Sequence, residues 1–219
     1  MTREQANQLA QLVDHTLLKP EATEQQIRIL CQQALQYNFA SVCVNPSHVK
    51  MAASSLQGSQ VATCTVVGFP LGANTTAVKV AETIEAVNNG AKEIDMVVHM
   101  GAIKEGNWNY VKSEIKSVVE AAGMVVKVIL ETCHLTNEEK ITTCHVAMEA
   151  GAHFVKTSTG FGSGGATVED VQLLRQTVGQ QMGVKASGGI KDLETLLQMV
   201  QAGANRIGTS SAVQIIKLI

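Results

Sequence analysis

A chain of 219 residues with 45% hydrophobic content can bury one large core and suits a single domain better than two. Seventeen basic and nineteen acidic residues give a net charge of −2, which excludes a basic nucleic-acid footprint and a polybasic membrane surface. No apolar stretch is long enough to span a bilayer and the N-terminus has no signal-peptide character, so a soluble cytoplasmic protein is expected.

In chain order, the first β-branched run is Val13 to Leu17, and a segment of helical period follows from Thr23 to Tyr37. The same alternation predicts strand Ser41 to Val44, helix Ser47 to Ser54, strand Val61 to Val67, helix Thr76 to Asn89, strand Ile94 to Val98 and helix Trp108 to Ala122. It continues with strand Val125 to Leu130, helix Asn137 to Ala150, strand Phe154 to Thr157, helix Thr167 to Val178, strand Val184 to Ser187, helix Asp192 to Ala202 and strand Arg206 to Gly208. A helix from Ser210 to Leu218 closes the chain.

Thr23, Thr136 with Glu139, Thr167 with Asp170, and Asp192 stand where caps belong, while Gly90, Gly123, Gly151 and Gly203 stand where helices should end. Strand starts recur at intervals of about 20 to 35 residues, the spacing of one β/α unit. Eight units without a linker predict an α/β fold, a single-domain (β/α)8 TIM barrel over residues 1–219. The five cysteines are odd in number and lack a C-x-x-C pair, as expected of free thiols in a reducing compartment.

In such a barrel the active site lies at the C-terminal strand ends, with inward and outward side chains alternating along each strand. Asp14, Asp95, Lys127, Glu131, Lys156 and Lys185 all fall in or at the ends of predicted strands, where unpaired charges are costly. Lys156 and Lys185 end consecutive strands, about 5 Å apart across the sheet. Like charges that close disfavour double protonation, so one amine is expected to be neutral, the form that makes a Schiff base with a carbonyl compound. Lys156 is the better nucleophile because the Thr157-Ser158-Thr159-Gly160 turn follows it directly. Asp95 then either holds Lys185 charged or shares proton transfer with it, and Lys127, deeper in its strand, serves as a charge partner of Asp95 or Asp14. The alternative is an ion network that merely fills the barrel.

Gly188-Gly189 follows the seventh strand and Gly208-Thr209-Ser210-Ser211 follows the eighth, the recurrent phosphate position of these barrels. The run from Gly160 to Gly165 could close over the same end of a substrate. A competing reading takes His15, His99, Glu131 and His134 as ligands of a metal-dependent hydrolase, although no H-x-H pair occurs on one strand. In a third, a non-catalytic phosphosugar-binding barrel, the two lysines are only anion contacts.

Six blocks carry a resemblance that runs in order over nearly the whole chain: Asp14 to Pro20, Val67 to Gly72, Glu93 to Val97, Phe154 to Phe161, Val184 to Ile190 and Arg206 to Ser211. Together they resemble the deoxyribose-phosphate aldolase family. The resemblance implies a metal-free, cofactor-independent class I aldolase that cleaves 2-deoxy-D-ribose 5-phosphate reversibly to acetaldehyde and D-glyceraldehyde 3-phosphate, in deoxyribose phosphate catabolism. It further implies Lys156 as the Schiff-base lysine, with Lys185 and Asp95 handling protons. Phosphate contacts would fall on Gly160, Gly188, Gly189, Gly208, Ser210 and Ser211, and contacts to the substrate hydroxyl and small aldehyde on Asp14, Thr16 and Cys43. The chain departs from the family pattern at His99, where many members have asparagine, and at Lys191, where arginine is common. It also stops at Ile219, short of the tail some relatives place over the site, so no proton-shuttling role is expected from one. Beyond the phosphosugar substrate no nucleic-acid or membrane partner is expected, and the amide-rich outer helices permit a homodimer. The alternatives in function are another Schiff-base barrel aldolase acting on a different phosphosugar and, more remotely, the metal-dependent hydrolase.

Overall fold

The computed structural model describes residues 3–218, and within them eight parallel strands close into a barrel in sequence order, the last pairing with the first. The strands are β1 (Val13–Leu17), β2 (Ser41–Val44), β3 (Ala62–Val67), β4 (Glu93–Val97), β5 (Val125–Ile129), β6 (Phe154–Lys156), β7 (Gly183–Ser187) and β8 (Arg206–Thr209). The helices are α1 (Arg3–Ala10), α2 (Glu24–Tyr37), α3 (Val49–Ser55), α4 (Thr76–Asn88), α5 (Met100–Lys104), α6 (Trp108–Ala122), α7 (Asn137–Glu149), α8 (Val168–Val178), α9 (Leu193–Gln201) and α10 (Ala212–Ile216).

The expected strands fall within a residue or so of those observed. Alternation along them divides two environments. Ile94, Met96, Val126, Val128, Val155, Val184 and Ile207 join the apolar layer beneath the helices. Of the residues between them, Asp95 meets Lys127, Lys156 and Lys185 in the lumen as ion pairs, and Arg206 joins them through Asp14, which also pairs with Lys185. A second, smaller apolar cluster of Leu18, Cys43, Cys64 and Val66, with Phe69 packed on it, lies apart from the main core.

Helix starts follow their caps. Thr23 with Gln26 and Thr136 with Glu139 form reciprocal capping boxes, whereas Thr167 and Asp192 cap through the side chain alone. Several features depart from the expected elements, among them α5 and a 3-10 turn at Thr132–His134, neither of which was expected. Helix α1 buries only Leu9 and Ala10 at its end, too short an apolar stripe to show a period. The segment expected as one helix from Ser47 divides into a 3-10 turn at Pro46–His48 and α3. At the end of the chain, the Ser211 amide donates to Thr209 Oγ1 and keeps Ser210 and Ser211 in a turn, so α10 starts at Ala212.

One buried ion pair braces the loops above the barrel. Lys79 Nζ lies 2.8 Å from Glu114 Oε1 and donates to the Val97 carbonyl, while Glu114 Oε2 accepts from the His99 amide. Burial pushes the Lys79 amine down and the Glu114 carboxyl up.

Candidate active site

The lumen is an ion network threaded across six strands. Register sets Asp95 beside Lys127 and Lys156 beside Lys185, and barrel closure brings β1 against β8. Asp95 is the hub: Oδ1 accepts from Lys127 at 2.8 Å, and Oδ2 accepts from Lys156 at 2.8 Å and from Lys185 at 2.7 Å. Asp14 lies between Lys185 and Arg206, with Arg206 Nη1 2.7 Å from its Oδ1. Glu93 completes the lower tier, 3.1 Å from both terminal nitrogens of Arg206 and in contact with Lys127. Three carboxylates thus face three lysines and an arginine.

Burial alone would push the carboxyls up and the amines down, but here the mutual attraction is larger. Lys127, Lys156 and Lys185 hold the Asp95 carboxyl well below its usual range, and Lys185, Lys127 and Arg206 do the same for Asp14. In return Asp14 and Asp95 raise the Lys185 amine, and Asp95 with Asp14 and Glu93 raises Lys127. Asp14 and Asp95 thus hold Lys185 in its charged form.

Glycines let this packing happen. A Cβ on Gly208 would sit 2.9 Å from Ser187 Cβ and 3.0 Å from Lys185 Cε. Gly208→Ala should consequently displace Lys185, at a cost of about 1–3 kcal/mol in stability, with a fall in kcat. Thermal unfolding and steady-state kinetics read both, and a variant with unchanged kinetics would show that Lys185 tolerates displacement.

Above the network opens a cavity of about 360 Å³. Of the three lysines on Asp95, only Lys156 lines it; Lys185 and Lys127 are sealed beneath. Thr16, Gly160, Gly188, Gly189, Gly208 and Ser210 also line the cavity, as do Lys19 and Lys191. The amides of Gly160, Gly188, Gly189 and Ser210 make no hydrogen bond among the described residues. Backbone donors converging with two lysines form a wall suited to an anion.

Other expected contacts lie elsewhere. Asp14 and Cys43 are fully buried outside the cavity wall, Asp14 with its oxygens taken by Lys185 and Arg206, and Cys43 beside Cys64, whose contact lowers its thiol pKa. Ser211 is not part of the wall either, and its amide is spent on Thr209. The histidines of the metal hypothesis are dispersed. His15 bonds Gln33, His99 caps α5 through Nδ1, and the Glu131 carboxylate accepts from Thr159. The donor groups close enough to share an ion are Cys43, Cys64 and Asp95, and Asp14, Cys64 and Glu93. In both, the carboxylates are already bonded to lysine or arginine, which a cation would have to displace.

Glu93, Arg206 and Cys64 join the network and Lys19 the cavity wall without having been singled out as site residues, whereas Glu131, expected among the network charges, bonds Thr159 instead. Only the polar residues at strand starts, in Lys92-Glu93 and Asn205-Arg206, gave a signal for the first two.

A cavity-lining amine in contact with a buried carboxylate, under a cavity with room for a phosphorylated chain, suits the making and breaking of carbon–carbon bonds next to a carbonyl. The barrel and this chemistry together define the (β/α)8 aldolase class. The DeoC/LacD family aldolase model matches residues 8–214, and the chain belongs to that family. It is 56% identical over 212 residues to the deoxyribose-phosphate aldolase of Clostridium tetani, covering 96% of this chain and 98% of that protein. The Staphylococcus epidermidis deoxyribose-phosphate aldolase is 57% identical over 209 residues, covering 95% of each chain. Among solved structures, the tetrameric deoxyribose phosphate aldolase of Aeropyrum pernix superimposes with a TM-score of 0.91 at 36% identity, covering 97% of this chain and 91% of that one.

Proposed function

We propose that this chain, as one aldolase domain over residues 1–219, cleaves 2-deoxy-D-ribose 5-phosphate reversibly to acetaldehyde and D-glyceraldehyde 3-phosphate through a Schiff base on Lys156. The observation that carries the reading is that Lys156, alone of the three lysines on Asp95, lines the cavity. Full-length identity to aldolases acting on this substrate supports the choice of phosphosugar.

The neutral Lys156 amine attacks the C1 aldehyde of the open-chain sugar, and loss of water leaves an iminium ion. Acetaldehyde carries two carbons, so the bond that breaks joins C2 to C3. Loss of the C3 hydroxyl proton makes C3 the aldehyde carbon of glyceraldehyde 3-phosphate, and the C2–C3 electron pair moves toward nitrogen to give an enamine. Protonation at C2 and addition of water release acetaldehyde and restore the amine. The iminium adds a fourth cation to a lumen of three carboxylates, so its collapse to a neutral enamine is favoured electrostatically. Asp95, with the charged Lys185 beside it, is placed to take and return protons through a bound water.

The test is acetaldehyde release from 2-deoxy-D-ribose 5-phosphate, with borohydride in the presence of acetaldehyde expected to leave an N-ethyl group on Lys156. No release from this sugar, with release from another phosphosugar, would overturn the substrate assignment. Binding remote from the scissile bond orients the chain, so unphosphorylated 2-deoxyribose should lose on the order of 100-fold in kcat/KM. Equal kcat/KM for the two sugars would argue against a phosphate site in the glycine wall.

The reading also places the protein in the cytoplasm, in deoxyribose phosphate catabolism. Its cysteines are free, and no helix among the described residues is long and apolar enough to cross a membrane. A homodimer through the outer helices is part of it, supported by exposed Ile29 and Leu35 on α2 and Val78 and Ile84 on α4.

A further inference from the structure

Glu131 follows β5 in the left-handed region, with φ 53° and ψ 65°, a conformation that favours glycine over glutamate. A strained residue that keeps a long side chain points to a use for that side chain. Glu131 is only 5% exposed, and its carboxylate's partner is Thr159, in the turn directly after the Schiff-base strand. The Thr159 amide lies 3.3 Å and 3.4 Å from its two oxygens, and the Thr159 hydroxyl donates to Oε2. The same hydroxyl accepts from the Phe161 amide at 3.0 Å, so the bonds on either side of Gly160 are fixed while the amide of this cavity-lining glycine has no partner among the described residues.

The surrounding packing serves the same loop. A Cβ on Gly162 would lie 3.1 Å from Glu131 Cδ, and one on Gly164 would lie 2.9 Å from Cys133 Cβ. On its other side the Ala166 amide donates to the Gly188 carbonyl at 3.0 Å. The glycine run 160–165 is thereby strapped between the turn after β5 and the turn after β7.

We infer that Glu131 is a positioning residue for anion binding: through Thr159 it aims the Gly160 amide at the phosphate and fixes the glycine run as one wall of the cavity. It touches no substrate atom and takes no part in proton transfer. The inference rests on the phosphosugar reading of the cavity, and its test does not depend on turnover.

The experiment titrates the protein with inorganic phosphate, followed by calorimetry, in the wild type, Glu131→Gln, Glu131→Ala and Thr159→Val. The glutamine oxygen still accepts from Thr159, so affinity should stay within about threefold of wild type, whereas Glu131→Ala and Thr159→Val should each weaken it by about tenfold. Borohydride trapping of acetaldehyde on Lys156 should persist in Glu131→Ala, a split that general damage to the barrel would not give. Unchanged phosphate affinity in Glu131→Ala, loss of trapping in step with it, or no phosphate binding by the wild type would each overturn the inference. If Glu131→Ala does not fold, Thr159→Val decides. Failure of the wild type to trap acetaldehyde would count against the Lys156 assignment, while the phosphate titration would still judge the clamp.

Discussion

Lys156→Ala should reduce kcat for aldol cleavage by at least about 10⁴-fold, which corresponds to about 5 kcal/mol of lost transition-state stabilisation. It should also remove the borohydride-trapped adduct, because no other amine of the network lines the cavity. The location of the adduct carries as much information as its loss. Lys127, Lys156 and Lys185 all lie within 2.8 Å of one carboxylate, so a substrate able to reach one might be thought able to reach the others. Burial says otherwise: Lys156 ends its strand at the cavity floor, whereas Lys185 is held between Asp14 and Asp95, and Lys127 among Asp95, Glu93 and Cys64.

Peptide mapping of the trapped wild-type protein should accordingly find the adduct on Lys156 alone. An adduct on Lys185 would reverse the two assignments, since an amine held charged by two carboxylates is the wrong protonation state for attack. Retention of activity in Lys156→Ala would remove the Schiff base from the mechanism altogether. The variant should remain folded, because without Lys156 the three carboxylates still face Lys127, Lys185 and Arg206, so no buried charge is left uncompensated.

The strands were legible because β-branched runs bounded by glycine and alternating with capped helices leave few other folds open, and Lys156 was legible because a lysine ending such a run needs a reason. The network beneath it was only half legible. Asp95, Lys127 and Lys185 stand out as charges inside apolar runs, but Glu93 and Arg206 begin their strands, where a charge is ordinary. Their inward position follows from register, Lys185 against Arg206 and Glu93 against Val125. The contact between Asp14 and Lys185 depends on closure of β8 onto β1, which no local pattern encodes. Cys43 lies near the end of β2 and Asp14 within β1, as expected, yet depth below the cavity is a property of the packed lumen. Glu131 reads from the sequence as a strand-end charge of the lumen and, in the competing reading, as a metal ligand, because its left-handed backbone and its hold on Thr159 appear only in three dimensions.

The second large effect is expected at Asp95. Asp95→Asn removes the charge shared by three lysines, and breaking a buried ion network from one side costs about 3–5 kcal/mol because the partners stay buried without their counter-ion. Against a typical domain stability of about 5–15 kcal/mol the variant should still fold, with a clearly lower urea midpoint. Its kcat should fall by a further factor of about 10²–10⁴ if Asp95 handles protons, the range usual for a positioned acid or base. The pH dependence separates the charge from the side chain's shape. In the folded wild type Asp95 is held well below the ordinary value, so its contribution is fully present above the unfolded pKa of about 3.9. That contribution disappears as pH falls through the lower folded value. The stability gap between wild type and Asp95→Asn should therefore be widest near neutral pH and should narrow progressively in acid below about pH 4. A gap of constant size down to pH 2 would mean that the asparagine is penalised for its geometry, and the electrostatic role assigned to Asp95 as hub of the lumen would have to be abandoned.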